Sequence, residues 1–301
     1  MIEALRSYFL RPGSALRLGV SRALFYGWYL LQARVYQPAR FAELPAELWD
    51  PPVLLRLFPA PDAATAAGIA RILELSLLLS CLGLWTRAAT VTATVTGAYL
   101  FGVMNGYGFI NFHCIPLVLI SWPLALAPCG DAFSLDAWLR RGPLVRDPAD
   151  YRWPIRLAQL TLTALMCTAG LRKVLGNWLS QPVENMRAFL LYKYYPQAAE
   201  KGLELPELTL RLLDYDGLLL VMAAGMVVCE LGSPAALLDG KPWLRAGWIG
   251  GLFLMQLLLA VWLKTLPTFP WLGAYVFWVP WNRIGDVAGW ARPPAWNRRP
   301  E

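Results

Sequence analysis

Histidine is nearly absent from this 301-residue chain, with His113 as its single copy. Cysteine is sparse too, and Cys81, Cys114, Cys129, Cys167 and Cys229 form no CxxC pair. Most of the five lie inside apolar runs, where a free thiol packs as a small hydrophobe. These shortages leave no metal-ligand cluster and no disulfide framework. The chain also lacks a Gly-x-Ser-x-Gly elbow and a phosphate-cradling loop, so hydrolase and nucleotide-dependent chemistry have no foothold. Charged residues make up only 16% of the chain, against about 25% in soluble domains. Despite a formal net charge of +7, no aromatic-and-basic groove pattern points to nucleic acid.

What is present is apolar. Hydrophobic residues account for 57% of the chain and mean hydropathy is +0.43. A soluble domain of this length could not bury so much apolar surface, which leaves the integral membrane class. Many of the 15 tryptophans sit near the ends of apolar runs, as interfacial anchors do. Lys and Arg mostly flank those runs, matching topology signals and contact with anionic lipid. Arg6, Arg11 and Arg17 precede or open the first run. That run outlasts a signal core without a small-residue cleavage site and reads as an uncleaved span.

The expected architecture is all-α, a polytopic transmembrane helical bundle of about seven or eight spans. Residues 1–14 form a basic N-terminal segment, 15–285 one bundle domain, and 286–301 a basic tail read as disordered. Spans are predicted near 15–32, 66–85, 88–104, 112–126, 153–178, 218–237 and 243–263, with 265–281 either an eighth span or a re-entrant segment. Residues 33–65 and 177–214 are long connecting segments. Arg22, inside the first span, is costly unless it faces a partner or a polar cavity. Arg71 and Glu74 stand three residues apart, as an ion pair within or between helices, or with Glu74 reaching a polar cavity. Ser134 is placed to N-cap a short amphipathic interfacial helix. Arg87, Arg140, Arg141, Arg146, Lys241 and Arg245 fall in alternating short loops, which puts both termini in the cytoplasm.

One stretch, 153–178, carries a polar stripe. Arg156, Gln159, Thr163, Met166, Gly170 and Lys173 follow at helical three/four spacing and share a face. At about 1.5 Å per residue, Arg156 and Lys173 lie roughly 25 Å apart, near opposite membrane surfaces. A face turned to lipid has no use for such a stripe, so it faces other helices. Lys173 has two readings. It snorkels at a helix C-terminus, or it is desolvated in the bundle and serves as a base at neutral pH. His113 lies at the same predicted depth, as a structural hydrogen-bonding group or a functional one. Glu230 is an intramembrane carboxylate, paired with Arg22 or Arg71 or part of a functional site.

Trp153-Pro-x-Arg-Leu, Ala169-Gly170-Leu171-Arg172-Lys173 and Asn177-Trp178 resemble the corresponding helix of vitamin K-dependent gamma-carboxylase and its bacterial HTTM relatives. Asn111-Phe-His113 followed by Ser134-Leu135-Asp136 is similar to the preceding family segment, although Phe112 separates the Asn-His pair, so His113 alone carries over. Glu230-Leu231, before a basic turn and an apolar helix, also fits. The resemblance covers about residues 15–285. It implies that Lys173 is the base that deprotonates a reduced, vitamin K-like quinone, with His113 also required and Glu230, Gly170 and Trp178 around the cofactor. It implies an active site on the non-cytoplasmic side, where charge placement puts Lys173. The chain ends soon after the bundle, which separates the expected quinol chemistry from carboxylation of a protein substrate. Two functions are expected: an enzyme acting on a lipophilic quinol in a bacterial inner membrane, or a non-catalytic membrane protein that binds lipid or quinone or supports a partner. The expected surroundings are the lipid bilayer and a lipophilic small molecule, with no metal, nucleotide or nucleic acid.

Overall fold

The computed structural model describes residues 2–51, 55–108, 114–140, 146–201, 207–238, 240–262 and 270–287. His113, Arg141, residues 265–269 of the expected eighth span and the basic tail from 288 onward lie outside them. Among the described residues the chain is all-helical, without strands. The helices are α1 (Ile2–Leu10), α2 (Ala15–Tyr36), α3 (Ala63–Leu82), α4 (Thr86–Gly106), α5 (Ile115–Leu126), α6 (Leu135–Leu139), α7 (Trp153–Leu175), α8 (Pro182–Lys201), α9 (Glu207–Leu213), α10 (Asp216–Leu231), α11 (Pro242–Trp262) and α12 (Trp281–Val287). Two of them, over Ala63–Leu82 and Pro242–Ala260, are long and apolar enough to cross a membrane.

The chain divides into two compact units, residues 1–161 with 273–301, and residues 162–272. In the first, α2 packs on α3, α3 on α4, α4 on α5, and α12 on α2. Leu18, Phe25, Tyr26, Tyr29, Leu73, Leu77, Leu100, Met104 and Ile120 form its closed interior. In the second, α8 packs on α10, α10 on α11, and α11 on the 3-10 turn Ser233–Leu237. Met186, Leu190, Leu219, Ala223, Met226 and Leu259 make its core.

Four local outcomes differ from the sequence reading. The segment 177–214 contains the 20-residue helix α8, because its apolar Val183, Met186, Phe189 and Leu190 recur at helical spacing and face the core. The fourth expected span has only the 12-residue α5 among its described residues. The sixth ends at Leu231, where Gly232 and Pro234 convert it to a 3-10 turn. Glu74 is paired with Arg34 of α2 at 3.4 Å, on the surface, in place of Arg71.

Arg22 is fully buried. Its guanidinium donates to the carbonyls of Phe133 (2.6 Å), Cys129 (3.3 Å) and Cys81 (3.4 Å). Cys81 lies in the last turn of α3, where carbonyls lack helical partners. Gly83 ends that helix at φ +71°, and a Cβ there would meet the Arg22 guanidinium. Ser134 caps α6 by accepting from the Ala137 N–H at 2.9 Å.

Asp136, on α6, reaches the start of α4. It accepts from the backbone N–H of Trp85 (2.9 Å) and Thr86 (2.7 Å) and from the Thr86 hydroxyl (2.6 Å). It thereby acts as a capping carboxylate supplied from another helix. Beside it, Asp131 accepts from Arg146 (2.7 Å) and the Tyr151 hydroxyl (3.1 Å). Burial and the Asp131 carboxylate push that hydroxyl up to about 12.

Burial opposes ionisation of Asp136, but the Thr86 hydroxyl, the N–H groups of Thr86 and Trp85, and Arg140 outweigh it and hold the carboxyl below its ordinary value. Its contribution to stability is therefore complete above the ordinary value of 3.8 and is lost as pH falls through the lower folded value. Asp136→Ala is expected to cost about 1–2 kcal/mol near neutral pH, with the gap to wild type closing under acid. Thermal unfolding at the two pH values measures both. A gap that persists in acid would rule out the charge-assisted cap.

Candidate functional site

The six residues of the predicted stripe on α7 all turn inward: Arg156, Gln159, Thr163, Met166 and Gly170 are buried, and Lys173 is largely covered. In the first unit, Arg156 donates to Gln159 Oε1 at 2.9 Å and lies 4.4 Å over the Tyr8 ring. Gln159 in turn donates to the Phe277 carbonyl at 2.9 Å. In the second unit, the Ser233 hydroxyl donates to the Thr163 carbonyl at 3.0 Å, and the Gln256 amide to Met166 Sδ at 3.3 Å.

Gly170 and Lys173 meet the end of α10. A Cβ built on Gly170 would stand 2.9 Å from Glu230 Cβ and 2.9 Å from the Leu231 nitrogen. Only a residue without a side chain lets the two backbones come this close. One turn later, Lys173 Nζ lies 2.7 Å from Glu230 Oε1 and 2.5 Å from Oε2. The side chains are 17% and 8% exposed, so this is a mostly desolvated ion pair. Glu230 is thus paired with Lys173 and not with Arg22 or Arg71, because α10 ends against α7 while Arg22 is spent on backbone carbonyls.

The helix ends shape the electrostatics. Lys173 is in the last turn of α7, where the helix dipole favours a cation. Glu230 is next to the last residue of α10, where the dipole disfavours an anion. The ammonium offsets that cost across the interface. Nζ also lies 5.6 Å from the centre of the Trp178 ring, within cation–π range. Trp178 packs on Phe189 and the α8–α10 core, and its indole N–H is buried without an acceptor. Lys173, Glu230, Gly170 and Trp178 are therefore one constellation. His113 lies outside the described residues.

Sequence reasoning placed Gln256 on the seventh expected span without a partner, and missed Ser233 and Trp248. The ring of Trp248 lies against Gly232, where any Cβ would collide with it, and fixes the turn just after Glu230. The sequence signal was weak: a glycine and a serine shortly after a glutamate in an apolar run. Among the described residues, no three or more His, Cys, Asp or Glu side chains are grouped to hold a metal ion. The pair itself can hold a small polar group between a donor and an acceptor, or exchange a proton internally.

Lys173→Met leaves Glu230 buried without a counter-ion, and is expected to cost about 3–5 kcal/mol. The double variant Lys173→Met/Glu230→Leu is expected to recover most of that loss, since an apolar pair needs no desolvation. Gly170→Val is expected to lose about 1–3 kcal/mol by overpacking. Denaturant unfolding of wild type, these three variants and the single variant Glu230→Leu tests the set, and a double-variant loss equal to the sum of the two single losses would show that Lys173 and Glu230 are uncoupled. In comparison with known proteins, the chain matches no family model, no curated protein and no solved structure.

Proposed function

We propose that the protein is a polytopic membrane protein whose Lys173–Glu230 pair takes a proton from a lipophilic, quinol-type molecule. Support for membrane residence comes from the surface. Apolar side chains crowd the outside of the helices, including Ile72, Leu75 and Leu78 on α3, Val91 and Val95 on α4, and Leu254 and Leu258 on α11. Polar ones face inward, among them Arg22, Gln32, Thr90, Thr94, Ser121, Gln159 and Gln256. An exterior so rich in apolar side chains suits a hydrocarbon solvent. Helices α2, α4 and α7 have 22, 21 and 23 residues, enough for a core of about 30 Å. A bundle of seven or eight spans in an inner membrane fits these lengths.

The observation that carries the chemical reading is the close, desolvated approach of Lys173 Nζ to both Glu230 oxygens. In low dielectric, a proton can pass from Nζ to Glu230, leaving a neutral amine and a neutral carboxyl. The amine then accepts the hydroxyl proton of the quinol, and the new ammonium stabilises the quinolate it leaves. Trp178 would lie against the ring. This agrees with the HTTM and gamma-carboxylase resemblance, in which Lys173 is the base and a reduced quinone the cofactor.

A second reading is favoured by the same geometry. The two side chains satisfy one another, and Gly170 lets α7 and α10 close over them, which is what a purely structural clamp in a lipid- or partner-binding membrane protein requires. The readings separate in one experiment. Purified protein in nanodiscs is supplied with reduced menaquinone and oxygen, and quinol loss is followed by absorbance. The enzyme reading expects turnover in wild type that falls at least a hundredfold in Lys173→Ala and in Glu230→Gln. No turnover in wild type, or turnover unchanged in Lys173→Ala, leaves the clamp.

A further inference from the structure

Helix α3 turns two charged side chains outward. Arg71 is exposed and makes no ion pair or hydrogen bond among the described residues. Glu74 is half-exposed, and Arg34 sends both its Nε and its Nη2 to the same oxygen, Oε2, at 3.4 Å. Oε1 therefore accepts from nothing among the described residues. The depth makes this unusual. Arg71 stands eight residues after Ala63 and eleven before Leu82, about 12 Å and 16 Å along the axis, and Glu74 the reverse. Both are near the middle of a hydrocarbon core of about 30 Å, where an ionised side chain turned to acyl chains is costly. The same face also carries a regular seam. Ala64, Gly68, Arg71, Leu75, Leu78 and Leu82 alternate by four and three residues, the period of two helices that wrap along each other. The three leucines are 58%, 44% and 47% exposed. A Cβ on Gly68 would meet nothing within 4 Å, so the packing of this chain does not call for the glycine, which weakens a helix. Ala64 and Gly68 have the small-xxx-small spacing that lets two membrane helices approach closely.

We infer that the chain forms a homodimer through α3, seam against seam, with Arg71 of each copy donating to Glu74 Oε1 of the other. The inference rests on the membrane residence proposed above and not on the proton-transfer reading. Two copies inserted the same way are related by a twofold axis along the membrane normal, which brings equal depths of α3 together. Arg71 and Glu74 differ by three residues, about 4.5 Å along the axis, so the two pairs form reciprocally across it. Each Glu74 is then shared between Arg34 of its own chain at Oε2 and Arg71 of the other chain at Oε1. The guanidinium gains a charge-assisted bond, which is stronger away from water. Charge complementarity selects a second copy as the occupant. Arg71 needs a carboxylate oxygen at mid-depth, and the chain itself carries that unused acceptor one turn away on a face with a matching seam.

The test uses the full chain reconstituted in liposomes, with two populations labelled at the N-terminus by a donor and an acceptor fluorophore. Wild type is expected to resist alkaline carbonate extraction and to show energy transfer that falls with lipid dilution as a monomer–dimer equilibrium does. Arg71→Met removes both the charge that lipid penalises in a separate chain and the bond across the axis, and Glu74→Gln removes the charge that accepts it. Each is expected to weaken the dimer at least tenfold, the scale of one charge-assisted hydrogen bond. A mixture of the two variants keeps one intact Arg71–Glu74 pair in each heterodimer and is expected to associate more tightly than either variant alone. Leu78→Cys is expected to cross-link to its own counterpart on oxidation in the membrane, above the wild-type background, and Leu119→Cys on α5, the neighbour of α4, is expected not to. The cross-link decides the matter if a charge variant fails to fold in thermal unfolding. Release of wild type by carbonate would overturn the membrane reading and this inference with it. A retained wild type that stays monomeric, with Arg71 snorkelling to the headgroups, would overturn the dimer alone. So would a dimer indifferent to Arg71→Met, a mixture no tighter than the separate variants, or Leu78→Cys cross-linking no better than Leu119→Cys.

Discussion

A guanidinium shut away from solvent must take its hydrogen bonds inside the protein, and the two terminal nitrogens of Arg22 find theirs where three backbone segments meet, while its Nε is buried without a partner. It holds the carbonyl of Cys81 at the end of α3, that of Cys129 after α5, and that of Phe133 before α6. None of those carbonyls would otherwise be satisfied within a helix. The same knot accounts for two unusual backbone positions. Trp85 and Phe133 both adopt positive φ, at +47° and +49°, which costs roughly 1–2 kcal/mol each for a residue with a Cβ. Asp136 binds the Trp85 N–H and Arg22 binds the Phe133 carbonyl, so surrounding bonds determine both conformations. An arginine within an apolar helix is here the point at which the short connections are fastened.

Lys173 and Glu230 apply the same requirement in the second unit with a different consequence. Arginine stays protonated under any accessible condition, so Arg22 can fasten backbone but cannot move a proton. A lysine and a glutamate within hydrogen-bond reach can be neutral together or charged together, and in a poorly hydrated setting the two states come close in energy. The first pairing is suited to structure alone. The second, on the function proposed above, is suited to structure and to proton transfer, with the neutral tautomer as the form that accepts the proton.

Much of this was legible in the sequence for a simple reason: hydrophobic composition and three/four spacing are local properties. The inward stripe of α7 follows from the positions of Arg156 through Lys173 alone, and Ser134 capping α6 from its place before Leu-Asp-Ala-Trp. Pairings between helices were not legible. Glu230 carries no mark of Lys173, 57 residues away, and Glu74 found Arg34 across a helix interface when Arg71 stood closer in sequence. Asp136 was legible only as part of a motif, because its capping of α4 depends on how α6 folds back. Helix α8 was obscured by Glu184, Asn185, Lys193 and the tyrosines, whose polarity masks the apolar positions that pack on α10.

Gly170 ties packing to chemistry in one residue. Because it has no side chain, the α10 backbone approaches α7 at the level of Glu230, and a spacing of three residues then sets Lys173 opposite the carboxylate. Any substitution at Gly170 therefore perturbs the helix contact and the ion pair together and cannot tell a clamp from a catalyst. Glu230→Gln can. It keeps the shape and leaves a hydrogen bond to Nζ, so α10 can stay in place, but it removes the group that would relieve Lys173 of its proton. A stable but inactive Glu230→Gln protein would mean that the proton, and not the contact, is what the pair contributes.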